Sequence, residues 1–113
     1  MNIKDSIVNI MVTDMDKSVA FYQTLGLSLK QRWDNYYAIV DSPSVKIGLH
    51  PSEPRDSSNQ VSIGFIIDDI EAAKTLLEEN DIAYSLEKDE NSGTYLNFSD
   101  PDGAKLYYHL PSW

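Results

Sequence analysis

Besides 18 carboxylates, the 113-residue chain offers two histidines, a set of tyrosines and tryptophans, and no cysteine with which to do chemistry. Without cysteine, thiolate catalysis, disulfides and sulfur ligation of a metal are all unavailable. No serine sits in a nucleophile elbow. Gly26, Gly48, Gly64, Gly93 and Gly103 are isolated from one another and form no phosphate-cradling loop. His109 has two readings. It lines a cavity, where its imidazole hydrogen-bonds a ligand or shuttles a proton, or it stands at a strand end beside Pro111. No carboxylate lies at a spacing that would make it half of an acid–base pair. The larger resource is aromatic: Trp33, Tyr36, Tyr37, Tyr95, Tyr107, Tyr108 and Trp113. Gathered on one surface, such rings stack on a planar or cationic ligand. Distributed through strands, they are ordinary packing. Trp33, beside a turn, reads as a ligand contact or part of a dimer interface.

Those residues are positioned by a unit used twice. Val12 to Leu27 reads as strand end, cap, amphipathic helix and glycine stop, and Ile66 to Ile82 echoes it. With Asp14 set against Asp69, 55 positions on, Met15 meets Ile70, Ser18 meets Ala73, Phe21 meets Leu76 and Tyr22 meets Leu77. At 3.6 residues per turn those four positions share one side of a helix. Tyr37 and Tyr95 also fall at matching places in the two units.

Ser6–Val12 predicts a strand, Thr13 or Asp14 a cap, and 16–24 a helix that buries Met15, Val19, Phe21, Tyr22 and Leu25 and stops at Gly26. Strands follow over 27–32 and 45–50; between them 33–40 gives a turn at Asp34-Asn35 and a third strand, and 41–44 is a further turn. Pro51 to Asn59 reads as a linker. The second unit repeats the order: a strand over 60–67, a helix capped by Asp68 with Glu71 at capping-box spacing, and strands over 82–87, 94–98 and 105–110. The last two are joined by a strong turn, Ser99-Asp100-Pro101-Asp102-Gly103.

The expected fold is therefore α+β: two tandem βαβββ modules forming a curved mixed sheet with two outer helices. Module one spans 1–51, the linker 52–59 and module two 60–113. A single domain of this length buries about 65% of its unfolded surface, enough for a core without staples. A sheet with one helix leaves its second face to be covered or used, and a concave, partly aromatic surface is the default place for a ligand.

The formal net charge of −9 repels phosphate backbones and anionic lipid, so neither nucleic acid nor membrane is an expected partner. The same charge attracts a cation, although it also serves solubility alone. The first ten residues lack a signal-peptide core and no stretch approaches a membrane span, which makes a cytoplasmic location the expectation.

Asp14-x-x-x-Ser18-x-x-Phe21-Tyr22-x-x-Leu25-Gly26, taken with Asp100-Pro101-Asp102-Gly103 before a final strand, resembles the vicinal oxygen chelate superfamily along essentially the whole chain. That superfamily includes glyoxalase I, extradiol dioxygenases, fosfomycin-resistance enzymes and bleomycin-resistance proteins. The resemblance implies paired βαβββ modules, a homodimer and, in the enzymes, a divalent metal held by His, Glu or Gln on the first and last strands of each module.

Carried onto this sequence, the first-strand position falls seven residues before Asp14, at Ile7, and by the repeat at Ser62. The last-strand position falls four residues after Gly103, at Tyr107. Aligning His50-Pro51 with Leu110-Pro111 puts its partner at Ile47. None is a good ligand for a divalent ion, and a catalytic site needs about three such donors. His109 shares the inward parity of Tyr107, whereas His50, opposite in parity to Ile47, is assigned to the helix side or the linker and given no role.

The resemblance thus points to the bleomycin-resistance branch. It implies a metal-free protein, with no cofactor and no catalytic residue, that sequesters a cationic or aromatic small molecule. The expected contacts are Trp33, Tyr37, Ser62, Tyr95, Tyr107 and His109. The alternatives are a metal-dependent glyoxalase, lyase or dioxygenase-type enzyme, and a protein-interaction or regulatory dimer.

Overall fold

The computed structural model describes residues 1–2, 5–52 and 62–112. The linker positions 53–59, the expected strand start at Gln60, and Trp113 lie outside the described residues. The chain forms two compact units, Met1–Asp56 and Ser57–Trp113. The first contains β1 (Val8–Val12), α1 (Met15–Thr24), β2 (Ser28–Trp33), β3 (Tyr37–Ser42) and β4 (Val45–Pro51). The second contains β5 (Ser62–Ile66), α2 (Ile70–Glu79), β6 (Ser85–Asp89), β7 (Gly93–Ser99) and β8 (Lys105–Pro111). Each unit has its own four-stranded mixed sheet, ordered β1-β4-β3-β2 and β5-β8-β7-β6. In both, the first strand pairs with the last in parallel and the remaining neighbours are antiparallel. The doubled βαβββ order expected from the sequence is the observed one.

The helices begin and end by the same devices. Asp14 takes an extended backbone and its carboxylate accepts from Lys17 N at 3.1 Å; Asp69 does the same with Ala72 N at 3.0 Å. The second cap is therefore Asp69 and not Asp68. The capping oxygen reaches the amide three positions on, which places the cap directly before Ile70. At the far end of α1, Gly26 N donates to Gln23 O and Leu27 N to Tyr22 O, with Gly26 at φ +109°. At the end of α2, Asp81 N donates to Glu78 O and Ile82 N to Leu77 O, with Asp81 at φ +57°. Both are Schellman stops.

Alternation along the strands divides each sheet into a core face and a second face. In the first unit Ile10, Val12, Ala38, Val40, Ile47 and Leu49 are buried together with Met15, Val19 and Tyr22 of α1, which packs on β2, β3 and β4. In the second unit Ile63, Leu96, Phe98, Leu106 and Tyr108 form the buried set, and α2 buries Ala73 and Leu77. The paired helix positions match closely: Tyr22 and Leu77 are both fully buried, as are Ser18 and, nearly, Ala73.

The boundaries differ most from the expected ones at β1, at the β2–β3 turn and at β6. β1 starts at Val8 and not Ser6. β2 runs on through Trp33 and β3 opens at Tyr37, after a turn at 34–36 that holds Asp34 at φ +49°. β6 runs over 85–89 and not 82–87, because residues 82–84 are used to leave the helix stop.

Candidate functional site

The strand register decides which side chains share the second face. In the first unit Asn9 stands opposite Gly48, Ile39 opposite Gly48 on the other side, and Ala38 opposite Leu49. In the second unit Gly64 stands opposite Tyr107, and Tyr95 opposite His109. Superposing the ladders makes Gly48, not Ile47, the counterpart of Tyr107. Ile47 is fully buried in the core face, so its assignment to the ligand-facing surface is overturned. His50 is likewise corrected. It lies on the second face with Tyr37, ring centroids 6.3 Å apart and edge-on, and it is the counterpart of His109. One residue of misalignment carried both errors, since a shift of one turns every side chain of a strand to the opposite face.

The second unit gathers three of the expected residues into one cluster. Tyr95 and His109 are stacked, with centroids 4.2 Å apart and planes 3° from parallel, and Tyr95 meets Tyr107 edge-on at 5.8 Å. The Tyr107 ring lies across Gly64, where any β-carbon would collide with it. His109 is 7% exposed, and its Nε2 lies 2.9 Å from the carbonyl of Ser92. A carbonyl only accepts, so Nε2 carries a proton. Tyr95 donates to Ser92 Oγ at 2.9 Å. His109 is thus held inside a continuous strand that runs on to Pro111, and it does not stand at a strand end. Glu87, opposite Tyr95 in the ladder, puts an exposed carboxylate beside the cluster. On the core face behind it, burial pushes the phenol of Tyr108 up to about 12, so that ring is neutral at physiological pH. Ser62 lies on the same face but at its edge, exposed and opposite Lys105, not among the rings.

The first unit gathers the other two expected residues with two that the sequence reading passed over. Trp33 and Tyr37 have centroids 5.8 Å apart. The Tyr37 hydroxyl crosses the sheet over Gly48 and donates to Asn9 Oδ1 at 2.5 Å. His50 Nδ1 lies 2.9 Å from the carbonyl of Pro51. Arg32 fixes the adjoining turn: it donates to Asp16 Oδ1, Asn35 Oδ1 and the Asp34 carbonyl, each at 2.7 Å. Asn9 and His50 carried one usable signal. Each histidine follows the tyrosine of the preceding strand at nearly the same interval, Tyr37 to His50 and Tyr95 to His109. Aligning the histidines in place of the prolines puts His50 on the face of Tyr37, and Asn9 follows from the 55-residue repeat as the counterpart of Gly64.

At the corrected positions where the family's enzymes hold a metal, this chain has Ile7, Gly48, Ser62 and Tyr107. An alkyl group, a hydrogen atom, a hydroxyl and a phenol do not make a site for a divalent ion. Among the described residues no group of three or more His, Asp or Glu is placed to hold one.

The sequence profile of the Glyoxalase/Bleomycin resistance protein/Dioxygenase superfamily matches residues 5–108. The chain belongs to that superfamily. An uncharacterized protein of Mycolicibacterium smegmatis is 31% identical over 71 residues, 63% of this chain and 61% of that protein, so the match spans under two thirds of the relative's length. Among solved structures, a bleomycin-binding protein complexed with bleomycin aligns with a TM-score of 0.77 at 21% identity, covering 97% of this chain and all of that one. A fosfomycin resistance protein of Listeria monocytogenes aligns at 0.84 and 15%, covering 99% and 94%. A lactoylglutathione lyase of Agrobacterium tumefaciens aligns at 0.76 and 18%, covering 92% and 90%. These likenesses establish the vicinal oxygen chelate fold, which serves binding proteins and enzymes alike. Among the described residues no helix is long and apolar enough to cross a membrane.

Proposed function

We propose that the protein binds a small, planar, cationic molecule on its aromatic second faces and sequesters it unchanged, as the bleomycin-binding relative binds its drug. The observation that carries this reading is the residue set at the family's metal positions. Ile7, Gly48, Ser62 and Tyr107 supply no ion site, while Tyr107 belongs to an aromatic cluster with Tyr95 and His109. The net charge of −9 and the carboxylate of Glu87 beside Tyr95 favour a cation. Trp33, Tyr37 and Ser62 complete the proposed contacts. We also propose a homodimer, which would cover Ile66, 72% exposed on β5.

The test is a tryptophan-fluorescence titration with metal-free bleomycin and with 9-aminoacridine, a planar cation. A saturable change is expected, and Tyr95→Leu should raise Kd by roughly three- to tenfold, the worth of one aromatic contact. Absence of saturable binding by both compounds overturns the reading. So does a stoichiometric transition metal in protein purified without chelator.

A further inference from the structure

The first unit presents more than a flat surface. Asn9 Oδ1 is occupied by the Tyr37 hydroxyl, which orients the amide and leaves Nδ2, a donor on an exposed residue, without a partner among the described residues. His50 Nδ1 faces the Pro51 carbonyl, so it carries a proton; in the Nδ1–H tautomer Nε2 is an acceptor, again without a partner among the described residues. Both residues are exposed and lie on adjacent strands, Asn9 opposite Gly48 and His50 opposite Met11. Tyr37, half-buried on β3, touches both, bonding Asn9 through its hydroxyl and meeting His50 edge-on, with Trp33 extending the aromatic surface to a residue 44% exposed.

We infer that Asn9 and His50 form a recognition edge for a carboxamide on the planar ligand, Asn9 Nδ2 donating to its carbonyl oxygen and His50 Nε2 accepting from its N–H, while Tyr37 and Trp33 hold its ring. This rests on the binding function proposed above and adds the ligand's chemical class. A primary or secondary amide carries one acceptor and at least one donor side by side, the complement of what this edge offers. A carboxylate would leave His50 Nε2 facing a second acceptor, and a bare ring would leave both groups unused. Gly48 makes the arrangement possible, because any side chain there would displace the Tyr37 hydroxyl and release the Asn9 amide. The second unit has no such edge: glycine replaces asparagine at position 64, and the His109 Nε2 is turned to Ser92.

The experiment compares 9-aminoacridine with 9-aminoacridine-4-carboxamide by fluorescence titration of the full chain. The carboxamide should bind about tenfold tighter, the worth of one or two modest hydrogen bonds. His50→Phe, which keeps an aromatic ring against Tyr37 but has no acceptor, should bring the ratio of the two affinities close to one. Asn9→Asp, which still accepts from the Tyr37 hydroxyl but has lost the donor, should do the same. Both sites are exposed, and circular dichroism of the variants confirms folding. Equal binding of the two acridines to the unaltered protein overturns the amide edge and leaves the binding function standing. A preference that survives both substitutions overturns it as well. Failure of either acridine to bind overturns the edge together with the function on which it rests.

Discussion

The two units use one backbone plan and furnish it differently. At matched ladder positions the first has Asn9 and Gly48 where the second has Gly64 and Tyr107. A glycine lies in each sheet where a ring must pass, but on opposite strands, so a different tyrosine crosses each sheet. In the first unit Tyr37 reaches over β4 to Asn9, leaving His50 exposed. In the second, Tyr107 covers β5, and Tyr95 stacks flat on a buried His109. Moving one glycine from one strand to its neighbour thus converts a solvent-facing polar edge into a closed aromatic stack.

The matched cores offer the largest effect by which to test that equivalence. Leu77 and Tyr22 occupy the same helix position and both are fully buried. Leu77→Ala should cost about 2–5 kcal/mol and Tyr22→Ala about 3–5 kcal/mol in urea unfolding. A Leu77→Ala cost under about 1 kcal/mol would show that α2 is not anchored as α1 is.

The glycines come next. Gly64→Ala should cost about 1–3 kcal/mol, because its β-carbon meets the body of the Tyr107 ring. Gly48→Ala should cost less, since it meets a hydroxyl and an amide oxygen that can swing aside, but it should shift the Tyr37 ring resonances in an NMR spectrum. Equal costs at the two sites would break the contrast drawn between the sheets.

Alkaline pH should weaken the second unit in particular. Burial of Tyr108 raises its phenol from 10.0 to about 12, and the ladder position it fills is held by Leu49 in the first unit. A raised folded-state value means that the contribution is complete below pH 10 and disappears as the pH climbs toward 12. Urea midpoints should therefore fall above pH 10, and Tyr108→Phe should flatten that fall; an unchanged slope in the variant would assign it to other groups.

The smallest effects lie at single unmatched positions. Ser18 is fully buried and its Oγ has no hydrogen-bond partner among the described residues, whereas the second unit has Ala73 there. Ser18→Ala should stabilise by about 1 kcal/mol by removing an unsatisfied polar atom. Asp81 holds the positive φ that Gly26 supplies in the first unit, so Asp81→Gly should gain about 0.5–1 kcal/mol. Thermal unfolding of the two variants measures both.

The sequence by itself determined the doubled module, the two helices and the stop at Gly26. These follow from periodicity and from residues whose local conformation is restricted, so neighbours in the chain suffice to specify them. It also placed no strong ion-binding side chain at the positions where the family's enzymes hold a metal. It did not place Ile47, Gly48 and His50 on their faces, left the first cap open between Thr13 and Asp14, and gave the second cap to Asp68 where the structure has Asp69. The turns before β4 and β8 differ in length by enough to change the alignment by one residue, and a strand's side chains alternate with a period of two. Only hydrogen-bonded pairing with β1 and β3 fixes that parity. The tertiary structure alone therefore decided that Asn9, Tyr37 and His50 share a face, and that His109 is enclosed while its counterpart is not.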